Sequence, residues 1–210
     1  MAWLSPVFPT GSFAYSSGLE AAVANDAVTD QSALKDWLIS LVIFGRLRND
    51  TIYLNSAVQE WKDADALSEI NQLALAATGS AELHDEAVAQ GNAFVDALKG
   101  WSDTEKIIFP EQVVLPVAVG AACGGSDIGT NSASIAFIHA FLTNQLQIAI
   151  RLSVMGQTGA SAILADLEPH ILKFAEATES ATLEDLGSSA FNADIMSMHH
   201  ETQNGRMFRS

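Results

Sequence analysis

Two adjacent histidines followed by a glutamate, His199-His200-Glu201, are the residues here whose types best suit a metal ion. Imidazole nitrogens suit nickel among other transition metals. Neighbouring side chains on a helix point about 100° apart, so both rings address one ion only on an extended backbone. The other reading is a solvated or partner-facing pair. Glu82 and Glu86 stand one helical turn apart, with Gln90 and Gly91 a turn further on. Paired carboxylates on one face can do acid–base work, and the same spacing also makes a solvated or partner-binding face. The single cysteine, Cys123, follows an apolar run and precedes Gly124-Gly125. That setting fits a buried structural thiol better than a nucleophile. The chain contains no P-loop, no GxSxG elbow, no HExxH helix and no CxxC pair. What remains is no catalytic set, no cofactor of its own, and His199, His200 and Cys123 as the metal candidates.

The elements that must position these residues read as helices. The 210 residues, 49% hydrophobic and 17% charged, make one domain able to bury roughly 70% of its unfolded surface. Apolar residues recur at helical spacing after Thr29, read as an N-cap (Leu34, Trp37, Leu38, Leu41, Val42), and again through Leu67, Ile70 and Leu73. Ser80 opens a helix that stops at Gly100, and another runs over about 159–177 with a kink expected at Pro169. The uncharged stretch Ile128 to Ile150 could span a bilayer by length, but it holds Asn131, His139, Asn144, Gln145 and Gln147. It is read as a buried bundle helix. The segment 106–120 is β-branched but interrupted by Pro110 and Pro116, and is read as a short helix. In "SPVFPTGSFAYSSGLE", Thr10 or Ser12 is expected to cap a helix through Phe13, Tyr15 and Leu19. Gly18 inside that helix implies close approach of another backbone. The fold class is therefore all-α, a single-domain bundle of about eight to ten helices. The absence of a basic, apolar leader and the lone cysteine fit the cytoplasm. A net charge of −15 and scattered lysines argue against nucleic acid. Against this acidity, Arg206 and Arg209 flank Met207 and Phe208 in the last five residues. Composition leaves fraying and docking of that tail balanced.

Four motifs in order resemble the UreF family of urease accessory proteins. "SPVFPTGSFAYSSGLE" is similar to that family's S-P-x-x-P-x-G-[AS]-F-x-Y-S-x-G-L-E signature. Glu82, Glu86, Gln90 and Gly91 match its E-x-x-x-E-x-x-x-Q-G pattern. Arg151, Leu152, Gly156 and Gln157 match R-L-x-x-x-G-Q. "HETQNGRMFRS" matches its C-terminal H-E-x-Q-x-x-R-L-F-R-S, with Met207 for leucine. Two departures stand out. Only Met1 to Leu4 precede Ser5, fewer than the family usually has, as expected of a trimmed or misassigned start, and His84 and Asp85 stand between the glutamates of a helix around which the family usually carries extra arginines.

The resemblance implies an all-α, dimeric, non-enzymatic protein that binds the accessory protein UreD (UreH in some organisms). It also implies binding of the nickel-carrying GTPase UreG and action on apo-urease, with nickel handled by the complex and bound by this chain transiently if at all. The partner-binding residues it implies are Phe13, Tyr15, Gly18, Glu20, Glu82, Glu86, Gln90, Arg151, Gln157, His200, Glu201, Arg206, Phe208, Arg209 and Ser210. A UreF-like domain spanning 1–200 is followed by a C-terminal tail, 201–210, expected to be mobile alone and to dock on a UreD-like partner. Phe208 would anchor it, and Arg206 and Arg209 would pair with the partner's carboxylates. Deleting the tail is then expected to abolish binding and spare the fold. A helical nickel carrier and an acid–base enzyme using Glu82 and Glu86 are the alternatives.

Overall fold

The structure, a computed structural model, describes residues 2–101 and 106–210. Among them are nine α-helices and no strand: α1 (Leu19–Ala24), α2 (Gln31–Phe44), α3 (Arg46–Gln59), α4 (Ala64–Ala76), α5 (Ala81–Leu98), α6 (Leu115–Gly125), α7 (Thr130–Arg151), α8 (Gln157–Thr178) and α9 (Phe191–Glu201). The all-α bundle expected from periodicity is the fold observed.

The centre of the bundle is α3 against α6, with α7, α2, α4 and α8 packed around α3. Helix α6 is apolar on every face, and a helix of that kind belongs inside a core. From Pro116 to Gly124 every residue of it is buried. Its glycines set the spacing. A Cβ on Gly120 would stand 2.3 Å from the Leu54 carbonyl oxygen, and one on Gly124 would stand 2.4 Å from that of Val58. The backbones of α3 and α6 therefore touch directly, and Leu47, Ile52 and Leu54 fill the space beside them. Each such side chain contributes about 1.5–3 kcal/mol on full burial. Asn55 ties three helices together from inside: its Nδ2 donates to the Thr178 carbonyl at 3.0 Å, and its Oδ1 accepts from Ser134 Oγ at 2.7 Å.

Helix α7 is long and apolar enough to cross a membrane, and 50% of that apolar window is buried in the bundle. Helix α8 continues through Pro169.

Several boundaries differ from the sequence reading. Asp30, not Thr29, caps α2, its carboxylate accepting from the Ala33 N–H at 2.9 Å. The helix of Leu34 to Val42 ends before Gly45, whose backbone is extended, and α3 begins after it. Residues 107–114 are not helical. They are hung on two asparagines: Asn71 Nδ2 donates to the Gln112 carbonyl at 2.7 Å and its Oδ1 accepts from Val114 N–H at 2.9 Å, while Asn92 Oδ1 accepts from Val113 N–H at 3.2 Å. Side chains thus satisfy the backbone that a ladder would otherwise satisfy. Helix α6 starts after this loop, with Pro116 in its first turn where its missing N–H is harmless.

The N-terminal segment also departs from expectation. Ser12–Ala14 form one 3₁₀ turn, Tyr15 is extended, and the helix starts only at Leu19. Gly18 is the N-cap of α1, with φ +84, rather than a mid-helix residue. The close backbone approach expected there is present. A Cβ on Gly18 would lie 3.1 Å from the Ser197 nitrogen of α9.

Candidate functional site

Residues from all four motifs come together where α1, α5 and α9 meet, the third motif contributing Arg151 over the Phe208 ring. The centre is His200, in the last turn of α9 and wholly buried. Its Nδ1 is 2.6 Å from Glu82 Oε2 of α5, and its Nε2 is 3.0 Å from Glu20 Oε2 of α1. An ionised carboxylate only accepts hydrogen bonds, so with both glutamates charged both ring nitrogens must donate. The ring is then an imidazolium joining two helices from a third. A cation at the C-terminal end of α9 is also favoured by the helix dipole. Glu201 beside it accepts from the Ala81 N–H at 2.8 Å and so satisfies a free donor at the start of α5.

The tail closes over this centre. Arg206 pairs with Glu82. Glu20 receives two backbone donors, Met207 N–H at 2.7 Å and Phe208 N–H at 2.9 Å. Arg209 N–H donates to the Ala14 carbonyl at 2.9 Å, and Ser16 N–H donates to the Ser210 carbonyl at 2.8 Å. Ser210 Oγ donates to Glu86 Oε2 at 2.5 Å. Phe208 is buried, with the Arg151 guanidinium 4.4 Å above its ring. In the chain by itself the tail is seated rather than projecting. The carboxylates and the apolar slot that Arg206 and Phe208 require are supplied by the chain itself.

A second carboxylate cluster lies beneath. Glu86 is buried, accepts from Ser17 Oγ at 2.9 Å and Gln90 Nε2 at 3.3 Å, and pairs with Arg46 of α3 at 3.1 Å. Arg46 also reaches Asp50 at 3.3 Å. Burial pushes the Asp50 carboxyl up, and Glu86 adds to this against the pull of Arg46, taking it to about 6. Glu82 and Glu86 are therefore not a solvated face. Each is neutralised from within, and both oxygens of each are bonded.

Not every expected residue joins the cluster. Phe13 is 70% exposed, and Gln157 is exposed at the start of α8. His199 is exposed, while Cys123 lies inside α6, where burial raises its thiol to about 12. The metal candidates are thus in three different settings, and among the described residues no group of three His, Cys, Asp or Glu is placed to hold an ion. Arg46, Asp50, Ser16 and Ser17 were not singled out from the sequence. The two serines stand inside the quoted N-terminal motif, and Arg46 follows the helix-breaking Gly45, which was the available signal.

Glu20 gives the site a pH dependence. Burial acts to raise its carboxyl, but the Met207 N–H, the His200 ring and the Phe208 N–H outweigh that and hold it below the ordinary value of 4.5. A carboxyl lowered by folding adds stability that is present above its unfolded value and lost as pH falls through the folded one. The tail is expected to stay seated at neutral pH and to loosen as pH drops below about 4.5. Chemical shifts of the Met207 and Phe208 amides through an acid titration measure this. Shifts that stay constant down to global unfolding would remove Glu20 from the latch.

Fold and site together define an all-helical protein whose polar interior seats its own C-terminus. The UreF family model matches residues 28–168. The urease accessory protein UreF of Rhizobium johnstonii is 45% identical over 209 residues, covering 100% of this chain and 94% of that protein. That of Brucella ovis is 47% identical over 213 residues, covering 100% and 92%. UreF 1 of Brucella suis biovar 1 gives the same 47% and the same coverage. The chain belongs to the UreF family of urease accessory proteins.

Proposed function

We propose that this chain is a non-catalytic scaffold for urease maturation in the cytoplasm. As a homodimer it binds a UreD/UreH-like accessory protein and a UreG-like GTPase and presents them to apo-urease for nickel insertion. The observation that carries this reading is that residues from all four family motifs meet in one latch, whose side chains use their hydrogen-bonding capacity in holding the fold's end in place. Such a site shapes a surface rather than turning over a substrate. The net charge of −15 suits basic partner surfaces and speeds encounter with them.

Carriage of nickel by the chain itself is disfavoured by the engagement of both His200 nitrogens, and the acid–base reading by the bonding of Glu82 and Glu86. Equilibrium dialysis with nickel is expected to show no tight stoichiometric site in the isolated chain. The scaffold itself is tested by mixing the purified chain with a UreD-like protein at micromolar concentration and weighing the species by light scattering. A dimer that takes up the partner is expected. A monomer that elutes separately from it would end the scaffold reading.

A further inference from the structure

The chain has nine asparagines, and only Asn204 is followed by glycine. Seven of the others lie within helices, and Asn25 is the C-cap of α1. A helical side chain leans back towards the helix N-terminus, away from the nitrogen of the next residue. Asn204 and Gly205 are instead both exposed, in the bend between α9 and the seated tail. Among the described residues, neither the Asn204 amide nor the Gly205 N–H has a hydrogen-bond partner. Gly205 has φ +72, which glycine adopts freely, and a Cβ built on it would meet nothing within 4 Å. Nothing shields the Asn204 side-chain carbonyl carbon from the Gly205 nitrogen, and glycine leaves the approach unhindered. The flanks, by contrast, are held. His200 is bonded to Glu20 and Glu82, and Glu201 accepts from the Ala81 N–H. Beyond the bend, Arg206 pairs with Glu82, and the Met207 and Phe208 N–H groups sit on Glu20 at 2.7 and 2.9 Å. Only residues 202–205 join the two anchors. The N–H groups of Thr202 and Gln203 already donate to the His199 and His200 carbonyls.

We propose that Asn204-Gly205 is a self-modification site whose product unseats the C-terminal tail. The Gly205 nitrogen, its proton taken by hydroxide, bonds to the Asn204 side-chain carbonyl carbon. The bond from that carbon to the amide nitrogen breaks, and ammonia leaves with a proton from water. The five-membered succinimide that results is opened by water. Opening at the side-chain carbonyl gives aspartate. Opening at the main-chain carbonyl gives isoaspartate, in which the backbone runs through the former side-chain methylene. No oxidant or reductant is needed. The link between the anchors then gains one C–C bond, about 1.5 Å, together with a carboxylate. N–H···O bonds are found within about 2.7–3.2 Å, a spread smaller than the added length. Thr202 and Gln203 are held in the last turn of α9, so the extra length falls on the tail, where it shifts Met207 and Phe208 against Glu20. Asn204 and Gly205 fill the two variable positions of H-E-x-Q-x-x-R, so the site belongs to this chain and not to the family pattern.

Prolonged warm incubation of the purified full chain at neutral and mildly alkaline pH tests this. Mass spectrometry follows the peptide after Glu201, and methylation by an isoaspartyl methyltransferase identifies the isomer. The wild type is expected to release ammonia and exchange amide for acid at Asn204, faster at the higher pH. Asn204→Gln, which would need a slower six-membered ring, is expected to stay intact. Amide exchange at 207–210 is expected to speed up roughly tenfold or more in the isoaspartate form, from the lost hydrogen bonds, and to stay unchanged in the aged glutamine variant. Freshly prepared Asn204→Asp carries the charge without the added length and is expected to remain within about twofold of wild type. Conversion at Asn204 no faster than at the helical asparagines would overturn the proposal. So would an isoaspartate form whose tail is as protected as before. An aspartate variant as unprotected as the isoaspartate form would assign the effect to charge and overturn the argument from length.

Discussion

Replacing His200 with alanine is expected to destabilise the protein by about 3–5 kcal/mol at neutral pH, the range for removing one member of a buried ion pair. It is also expected to strip the last residues of their protection against hydrogen exchange. Among the described residues the imidazole is the only group bonded to both Glu20 and Glu82, and its removal leaves two carboxylates facing the volume it vacates. Glu82 keeps Arg206, and Glu20 keeps its two backbone donors. Those donors are tail amides, however, so Glu20 and the tail would have to hold each other without the cation that now pins the carboxylate. The deficit should shrink at acid pH. In the wild type the contribution of a carboxyl held low by His200 is lost as pH falls through its folded value, so less remains for the substitution to remove. His200→Gln supplies one uncharged amide NH2 group in place of two ring N–H donors on opposite sides and is expected to fall between alanine and wild type. Denaturant midpoints at two pH values, with amide exchange over 206–210, decide the matter. An alanine variant within about 1 kcal/mol of wild type and with a protected tail would show that His200 only fills space.

Deletion of 201–210 follows from the same geometry, and it is expected to cost stability as well as any binding. Glu20, Glu86 and Ser16 would each lose a partner, and the slot holding Phe208 would open. A binding defect after that deletion would not identify a docking tail. Exposed point variants such as Arg209→Glu are the cleaner probe.

Periodicity was enough for the fold because core helices repeat their apolar residues regardless of their neighbours. It failed where one residue decides. Thr29 and Asp30 are both good caps, and only the backbone shows that Asp30 reaches the Ala33 N–H. Gly45 in a periodic run reads as tolerated, yet there the chain becomes extended. Residues 107–114 are irregular because Asn71 and Asn92 accept or donate from outside the segment, which no local pattern records. For the site, resemblance brought out Glu20, Glu82, Glu86, His200 and the tail. Charge could not tell which way they face. Arg206 and Phe208 look like a partner-binding pair in one dimension, and the carboxylate and slot that receive them come from residues far away in sequence.

Gly91 carries the second large effect. It lies in the middle of α5, where alanine ordinarily stabilises a helix by about 1 kcal/mol. Here Gly91→Ala is expected to destabilise by about 3 kcal/mol net. A Cβ at this position would stand 1.9 Å from the Val113 carbonyl oxygen, 2.7 Å from the Val114 carbonyl carbon and 2.8 Å from the Leu115 nitrogen. All three are backbone atoms, so no rotamer change relieves the clash. The loop cannot retreat either, because Asn71 and Asn92 hold residues 112–114 on both sides and Leu115 begins the fully packed α6. Helix α5 must move instead, and it carries Glu82 and Glu86. The variant should therefore lose tail protection as well as global stability, although Gly91 has no contact with the tail. Gly187→Ala is the control, since a Cβ there meets nothing within 4 Å, and a change within about 0.5 kcal/mol is expected. Thermal or denaturant melts of the two variants, with amide exchange at 207–210, give the comparison. Equal stability of the pair would mean that α5 and the 113–115 loop yield more easily than their anchoring implies.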